Sequence, residues 1–158
     1  MARVGRRKWH MDGKAARDVQ PADFRALRES LGLSQRNVAE AAGVQVLAVK
    51  RWESGDRTIP AEVWHWLRTV GEESDKAVIA IVQRTFEQID GQRNPVVWLQ
   101  YYRDQADYDR RRDDGDPYGL ANANARKVAS RLSRHGVICR FCYPPRGQVE
   151  VKRREAGQ

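Results

Sequence analysis

Residues 33–60 read LSQRNVAEAAGVQVLAVKRWESGDRTIP, and the spacing inside this stretch leaves the backbone few options. Ser34 stands directly before a run with helical period, Val38, Ala41 and Ala42, so its hydroxyl is placed to cap a helix start. Gly43 falls where the chain must turn sharply, and glycine tolerates positive φ without steric cost. Val44 follows. A second short helix then carries Val49 and Trp52 on one face before Gly55 stops it. Ala39 supplies the small residue that two helices need where they cross steeply through a short turn. Several offsets agree at once, and they predict a helix-turn-helix whose second helix runs from Gln45 to Ser54.

Gln35, Ala39, Gly43, Val49 and Trp52 resemble the key positions of the Cro and lambda-repressor type helix-turn-helix, the xenobiotic-response-element family. The ending RWESGDRTIP, Arg51 to Pro60, is similar to the W-E-x-G-x-R-x-x-P tail common in that family. The chain further resembles the anti-CRISPR-associated autorepressors of phages and mobile elements. These pair a WESG-containing domain with a C-terminal α+β dimerisation domain. The residues that carry this second resemblance are Trp98 to Tyr102 (WLQYY), the acidic stretch after them and the small-residue helix ending near Arg134.

Such a motif sets its first helix across the phosphate backbone and its second in the major groove. With Val49 and Trp52 turned to the core, the opposite face carries Gln45, Val46, Leu47, Lys50 and Arg51, the expected base-reading set. Arg51 suits base readout best, because arginine pairs bidentately with guanine O6 and N7. Lys50 can reach a guanine or a phosphate, and Gln45 can pair with adenine or cap the helix. Many relatives place polar residues at Val46 and Leu47. Here the apolar groups would pack on thymine methyls, or the helix would sit shallower and read shape. The resemblance implies that Gln35 contacts a phosphate or orients Gln45. Arg36 and Arg57 stand at backbone-contact positions, and Glu53 is expected to brace the domain internally.

The chain of 158 residues suits one domain or two small ones, and its formal net charge of +8 attracts polyanions. Residues 1–20 hold Arg3, Arg6, Arg7, Lys8, Lys14 and Arg17 against Asp12 and Asp18, without an apolar period. They are read as a basic arm. Either it is a solvated tail, or Arg3, Arg6, Arg7 and Lys8 follow phosphates or enter a minor groove, with Trp9 in contact. Residues 21–70 form the helix-turn-helix domain. Pro21 opens a helix with Phe24, Leu27 and Leu31 inward, and Val63, Trp64, Leu67 and Val70 form a closing helix.

Residues 71–151 are expected to form an α+β dimerisation domain, with a basic tail at 152–158. A helix opening at Glu72-Glu73-Ser74-Asp75 runs to about Ile89, and Gly91 and Asn94-Pro95 end it. Val96 to Tyr102 reads as a strand, and the charged run 104–116 as a solvated loop or frayed helix. A helix over Tyr118 to His135 and a strand over Val137 to Tyr143 follow. Val149 to Val151 is a candidate third strand, and Lys152-Arg153-Arg154 is a loose tail. The expected fold class is thus mainly α with an α+β C-terminal part. It comprises an N-terminal domain of four to five helices and a small C-terminal domain of two or three strands.

Cys139 and Cys142 form a lone C-x-x-C, and His135 could add a third ligand. A structural zinc site takes four ligands and no second pair exists, so buried thiols are expected, with no metal and no cofactor. Three scattered histidines and no phosphate-cradling loop offer no catalytic constellation, so an enzyme is not expected. No run approaches the ~20 apolar residues of a membrane span or the apolar core of a signal peptide, so cytoplasmic residence is expected. The expected function is a dimeric, sequence-specific DNA-binding repressor on an inverted repeat, autoregulating an anti-CRISPR or other mobile-element operon by promoter occupancy. The alternatives are an antitoxin-type regulator that also binds a protein partner, and a regulator that additionally binds RNA.

Overall fold

The computed structural model describes residues 14–145. Arg3, Arg6, Arg7, Lys8 and Trp9 of the arm, the candidate strand Val149 to Val151 and the tail Lys152 to Arg154 lie outside them. The fold class is as expected, mainly helical with a small α+β C-terminal part. In order the elements are α1 (Pro21–Ser30), α2 (Gln35–Ala42), α3 (Val46–Ser54), α4 (Ala61–Ile89), β1 (Val96–Gln100), α5 (Gln105–Asp109), α6 (Tyr118–Ser133) and β2 (Ile138–Cys142).

Helix starts follow the local chemistry. Pro21 takes the first position of α1, where its missing N–H costs nothing, and the Gln20 N–H donates to Asp23 Oδ2 at 3.0 Å. At α2 the Asn37 N–H donates to Ser34 Oγ at 3.0 Å, and the Ser34 N–H donates back to Asn37 Oδ1 at 2.9 Å. Gly43 leaves α2 in the left-handed region, φ 66°, and turns the chain into α3.

The first core gathers Phe24, Leu31, Val38, Val49, Trp52 and Leu67, with Phe24 meeting the Trp52 ring edge-on at 6.2 Å. Trp66 is buried here, whereas Trp64 is only half-buried. The last residues of the expected arm belong to this core as well. The Ala16 N–H donates to Ile59 O at 2.8 Å, the Ala61 N–H donates to Lys14 O at 2.9 Å, and Ala16 and Val19 pack inward. This short antiparallel contact occupies backbone groups that the composition of residues 1–20 does not reveal.

One helix replaces the two expected between 63 and 89. α4 is continuous for 29 residues, a length of about 44 Å. Glu72-Glu73-Ser74-Asp75 was expected to open a second helix because it is polar and acidic, but α4 runs through it and α6 packs against it. The Ser74 hydroxyl donates to Asn124 Oδ1 at 2.5 Å, and Lys127 Nζ reaches Asp75 Oδ1 at 3.3 Å. The C-terminal half of α4 then enters a second core of Val78, Val128, Leu132 and Val137, with Phe86, Val97 and Leu99 against it.

β1 and β2 pair in parallel, Val96 with Ile138 through Gln100 with Cys142, and α5 and α6 form the crossover between them. Beyond the end of β1, buried Asn122 takes over the ladder: Tyr102 N–H donates to its Oδ1 at 2.8 Å, and its Nδ2 donates to Tyr102 O at 2.9 Å. The charged run 104–116 is also more ordered than its composition suggests. Asp107 is buried, and Arg103 and Arg110 both donate to its carboxylate, at 3.3 and 2.8 Å. Burial works to raise the Asp107 pKa, but the Arg103 N–H and the two guanidiniums outweigh it and hold the carboxyl below its ordinary range. The buried Tyr108 ring packs edge-on against Tyr102, and its hydroxyl donates to Asp114 at 3.0 Å.

The two halves of the fold meet where Gly32, in the turn between α1 and α2, faces Gly119 in the first turn of α6. A Cβ at Gly119 would overlap the Gly32 carbonyl oxygen. Gly119→Ala should therefore destabilise the fold by about 1–3 kcal/mol, as overpacking does, although alanine is the better helix former by ~1 kcal/mol. Urea unfolding checks this. A variant more stable than the parent would mean that the backbones are not in contact.

Candidate nucleic-acid interface

α3 is held by its inner face. Val49 and Trp52 are buried in the first core, and Val46, one turn before Val49, is half-buried beside them. Val46 was expected among the outward residues. Its three-residue offset from Val49 turns it inward instead, so it is not part of the exposed set. The exposed residues of this segment are Gln45, Leu47, Lys50, Arg51 and Ser54, and Leu47 retains 55% of its accessible surface. Gln45 stands at the N-cap of α3, with no hydrogen bond from its side chain to the cap amides.

Glu53 is the single carboxylate of α3, and it is turned away from that face. Arg28 of α1 donates to it from Nε at 2.5 Å and from Nη2 at 3.2 Å, with both side chains almost fully buried. Arg28 Nη1 also donates to Leu33 O at 2.7 Å. Gln35 Nε2 completes the network by donating to Glu53 Oε2 at 2.7 Å. One carboxylate thus joins α1, α2 and α3, and the outward face of α3 is left with cations and no anion.

Gln35 therefore meets Glu53 rather than Gln45. Arg36 is exposed on α2 and paired with Glu40 at 2.8 Å, an i,i+4 contact that solvent weakens. Arg57 is exposed after α3, and its N–H donates to Arg51 O at 3.0 Å, which fixes the chain beside the end of α3. Lys14 shares a recess with Arg57, Val44 and Ala48. Its position beside α3 could not be read from the sequence, because only the bridge to Pro60 brings it there.

The C-x-x-C lies in β2, with both thiols half-buried. Cys139 Sγ approaches Ala129 O at 3.8 Å, and Cys142 Sγ approaches Leu99 O at 3.7 Å. His135 instead meets the Phe86 ring edge-on at 5.3 Å. Among the described residues no group of three or more His, Cys, Asp or Glu is placed to hold a metal ion, and no helix is long and apolar enough to cross a membrane.

A family model for Aca2/YdiL-like proteins matches residues 20–136, about three quarters of the chain. The chain belongs to the Aca2/YdiL-like family. That is a family of anti-CRISPR-associated regulators. The match begins at the cap of α1 and ends just before β2, so it takes in α1 through α6 and most of both cores. No curated protein matches the chain.

Within this Aca2/YdiL-like fold the Glu53 network has a measurable weight. Glu53→Ala leaves Arg28 buried without its carboxylate and should cost about 3–5 kcal/mol, as breaking a buried ion pair does. Glu53→Gln keeps a hydrogen-bond acceptor and should cost less. Urea titration of both variants checks the order. A loss under ~0.5 kcal/mol for Glu53→Ala would show that the network does not hold the three helices together.

Proposed function

We propose that the chain is a dimeric, sequence-specific repressor of the Cro and lambda-repressor type that reads duplex DNA with α3. The observation that carries this reading is the outward face of α3. Gln45, Leu47, Lys50 and Arg51 are presented on a helix whose only carboxylate is locked inward against Arg28 and Gln35. In a major groove Arg51 pairs with a guanine, Lys50 takes a guanine or a phosphate, and Leu47 packs on a thymine methyl. Gln45, at the helix start, meets an adenine edge. Arg36 and Arg57 on either side contact the phosphate backbone, with Gln35 close to the same strand. Arg3, Arg6, Arg7 and Lys8 add phosphate or minor-groove contacts. Membership of an anti-CRISPR-associated regulator family supports occupancy of the chain's own promoter, beside an anti-CRISPR gene, as the mode of repression.

A single reading helix makes few base contacts, and motifs of this type gain affinity by pairing on inverted repeats. The outer face of the small sheet supports a second copy as the partner. Val96, Trp98 and Ile138 lie there exposed, and Trp98 keeps 65% of its surface. Large aromatic side chains of this kind dominate protein interfaces.

Arg51→Ala should leave the fold intact and lower discrimination for the operator by ~1–3 kcal/mol, the worth of a bidentate base contact. Mobility-shift titration against a scrambled duplex measures it, and unchanged preference would mean that α3 is not the reading helix. Trp98→Asp should convert the dimer to a folded monomer by light scattering and abolish cooperative binding to the two half-sites. A dimer that persists would place the interface elsewhere.

A further inference from the structure

The C-terminal part changes sign along the chain. Residues 71–116 carry more acid than base, whereas residues 117–145 contain Arg126, Lys127, Arg131, Arg134 and Arg140 and no Asp or Glu. Four of these five lie on α6 or in the residue after it. Val128 and Leu132 anchor α6 in the second core, so its charged side is turned away from that core. Arg126, Lys127, Arg131 and Arg134 line one wall of a groove of about 620 Å³, and the end of α1 forms the other wall. Glu29 on that opposite wall is already engaged by Arg25 at 2.8 Å and Arg28 at 3.4 Å. Lys127 reaches Asp75, and Arg126 donates to the Tyr101 hydroxyl at 2.5 Å. Arg131 and Arg134 form no ion pair among the described residues. Like charges so close repel one another, and an anion in the groove relieves that repulsion.

The groove shares Arg126 with a cleft that reaches α2. This second cleft, of about 1020 Å³, is lined by Arg36 and Asn37 of α2 and by two carboxylates, Glu40, which Arg36 engages, and Asp109, which Gln105 engages. The contact of Gly119 with Gly32 places the start of α6 against the turn that leads into α2. From Arg126 to Arg134 the helix advances about 12 Å. One DNA strand presents a phosphate every ~3.4 Å of axis, so this face spans three to four of them. Between the cations the groove is lined by Ala123 and Ser130, and its lining residues include no aromatic ring on which an unpaired base would stack; the Tyr101 ring meets Arg126 from the second cleft.

We propose that the Arg126 to Arg134 face of α6 is a second phosphodiester-binding surface, which continues the backbone contact of Arg36 and holds duplex DNA outside the bases that α3 reads. The proposal rests on the DNA-reading role of α3. It assigns the C-terminal part a share of the DNA footprint in addition to assembly.

The test titrates the full-length chain and an R126Q/R131Q/R134Q variant against two duplexes across a range of salt. One duplex ends at the selected operator, and the other adds about one turn (~10 base pairs) on each side. The parent should bind the flanked duplex more tightly. The variant should lose that gain, and its log–log salt slope should be shallower by about 2.7, three lost phosphates at ~0.9 each. On the short duplex the two proteins should agree. An R131Q/R134Q variant keeps the Arg126–Tyr101 contact and guards against misfolding; it should lose about 1.8 of the slope. Equal flank gain and equal slopes in parent and variants would overturn the α6 proposal while leaving α3 as the reader. Loss of affinity for single-stranded RNA with none for the flanked duplex would overturn it as well. A parent that fails to prefer the operator over a scrambled duplex would overturn the reading role of α3, and the α6 proposal with it.

Discussion

The outward face of α3 depends on a charge that points the other way. Glu53 lies on the same short helix as Lys50 and Arg51, and in solvent it would neutralise them at close range. Arg28 and Gln35 instead draw it inward, at 2.5 and 2.7 Å, and in doing so tie α3 to both preceding helices. A buried ion pair contributes little net stability against an apolar alternative, and its better-attested use is to specify one arrangement. Here the arrangement specified is the rotation of α3 about its axis. Val46, Val49 and Trp52 set the same rotation from the apolar side, so packing and electrostatics agree on which residues remain exposed.

The second structural constraint is the 29-residue α4. It begins under the first core at Val63 and ends against the second at Phe86 and Ile89, so the two cores share a rigid member. α6 returns from the second core to touch the first. Leu120 packs against it, and Gly119 meets Gly32 backbone to backbone. A dimer formed through the sheet would therefore fix the separation of two reading helices through helix contacts on both sides, and not through a flexible joint.

Much of this was legible in residues 33–60. Ser34, Gly43 and Gly55 are local signals whose cause is the conformation of one or two residues, and each stands where its chemistry predicts. The inward role of Glu53 was also legible, because a carboxylate beside Lys50 and Arg51 on a helix expected to meet phosphates needs another partner. What escaped was set by contacts distant in sequence. The polar run at Glu72 to Asp75 resembles a helix start until α6 supplies Asn124 and Lys127. The run 104–116 resembles a solvated loop until Asp107 is seen between Arg103 and Arg110. Lys14 to Val19 lacks an apolar period because it joins the core through backbone pairing. Val46 is half-buried for a different reason: an apolar residue beside the exposed face of α3 can turn either way, and only its offset from Val49 decides.

Selection of binding sites from random duplex DNA by the full-length chain, followed by hydroxyl-radical footprinting on the enriched site, tests the central claim most directly. Two reading helices related by a dimer axis predict an enriched inverted repeat. Its half-site centres should lie about 34 Å apart, one turn of B-DNA, with protection symmetric about the axis. Failure to enrich any duplex sequence, or enrichment of a single asymmetric site with one-sided protection, would contradict it.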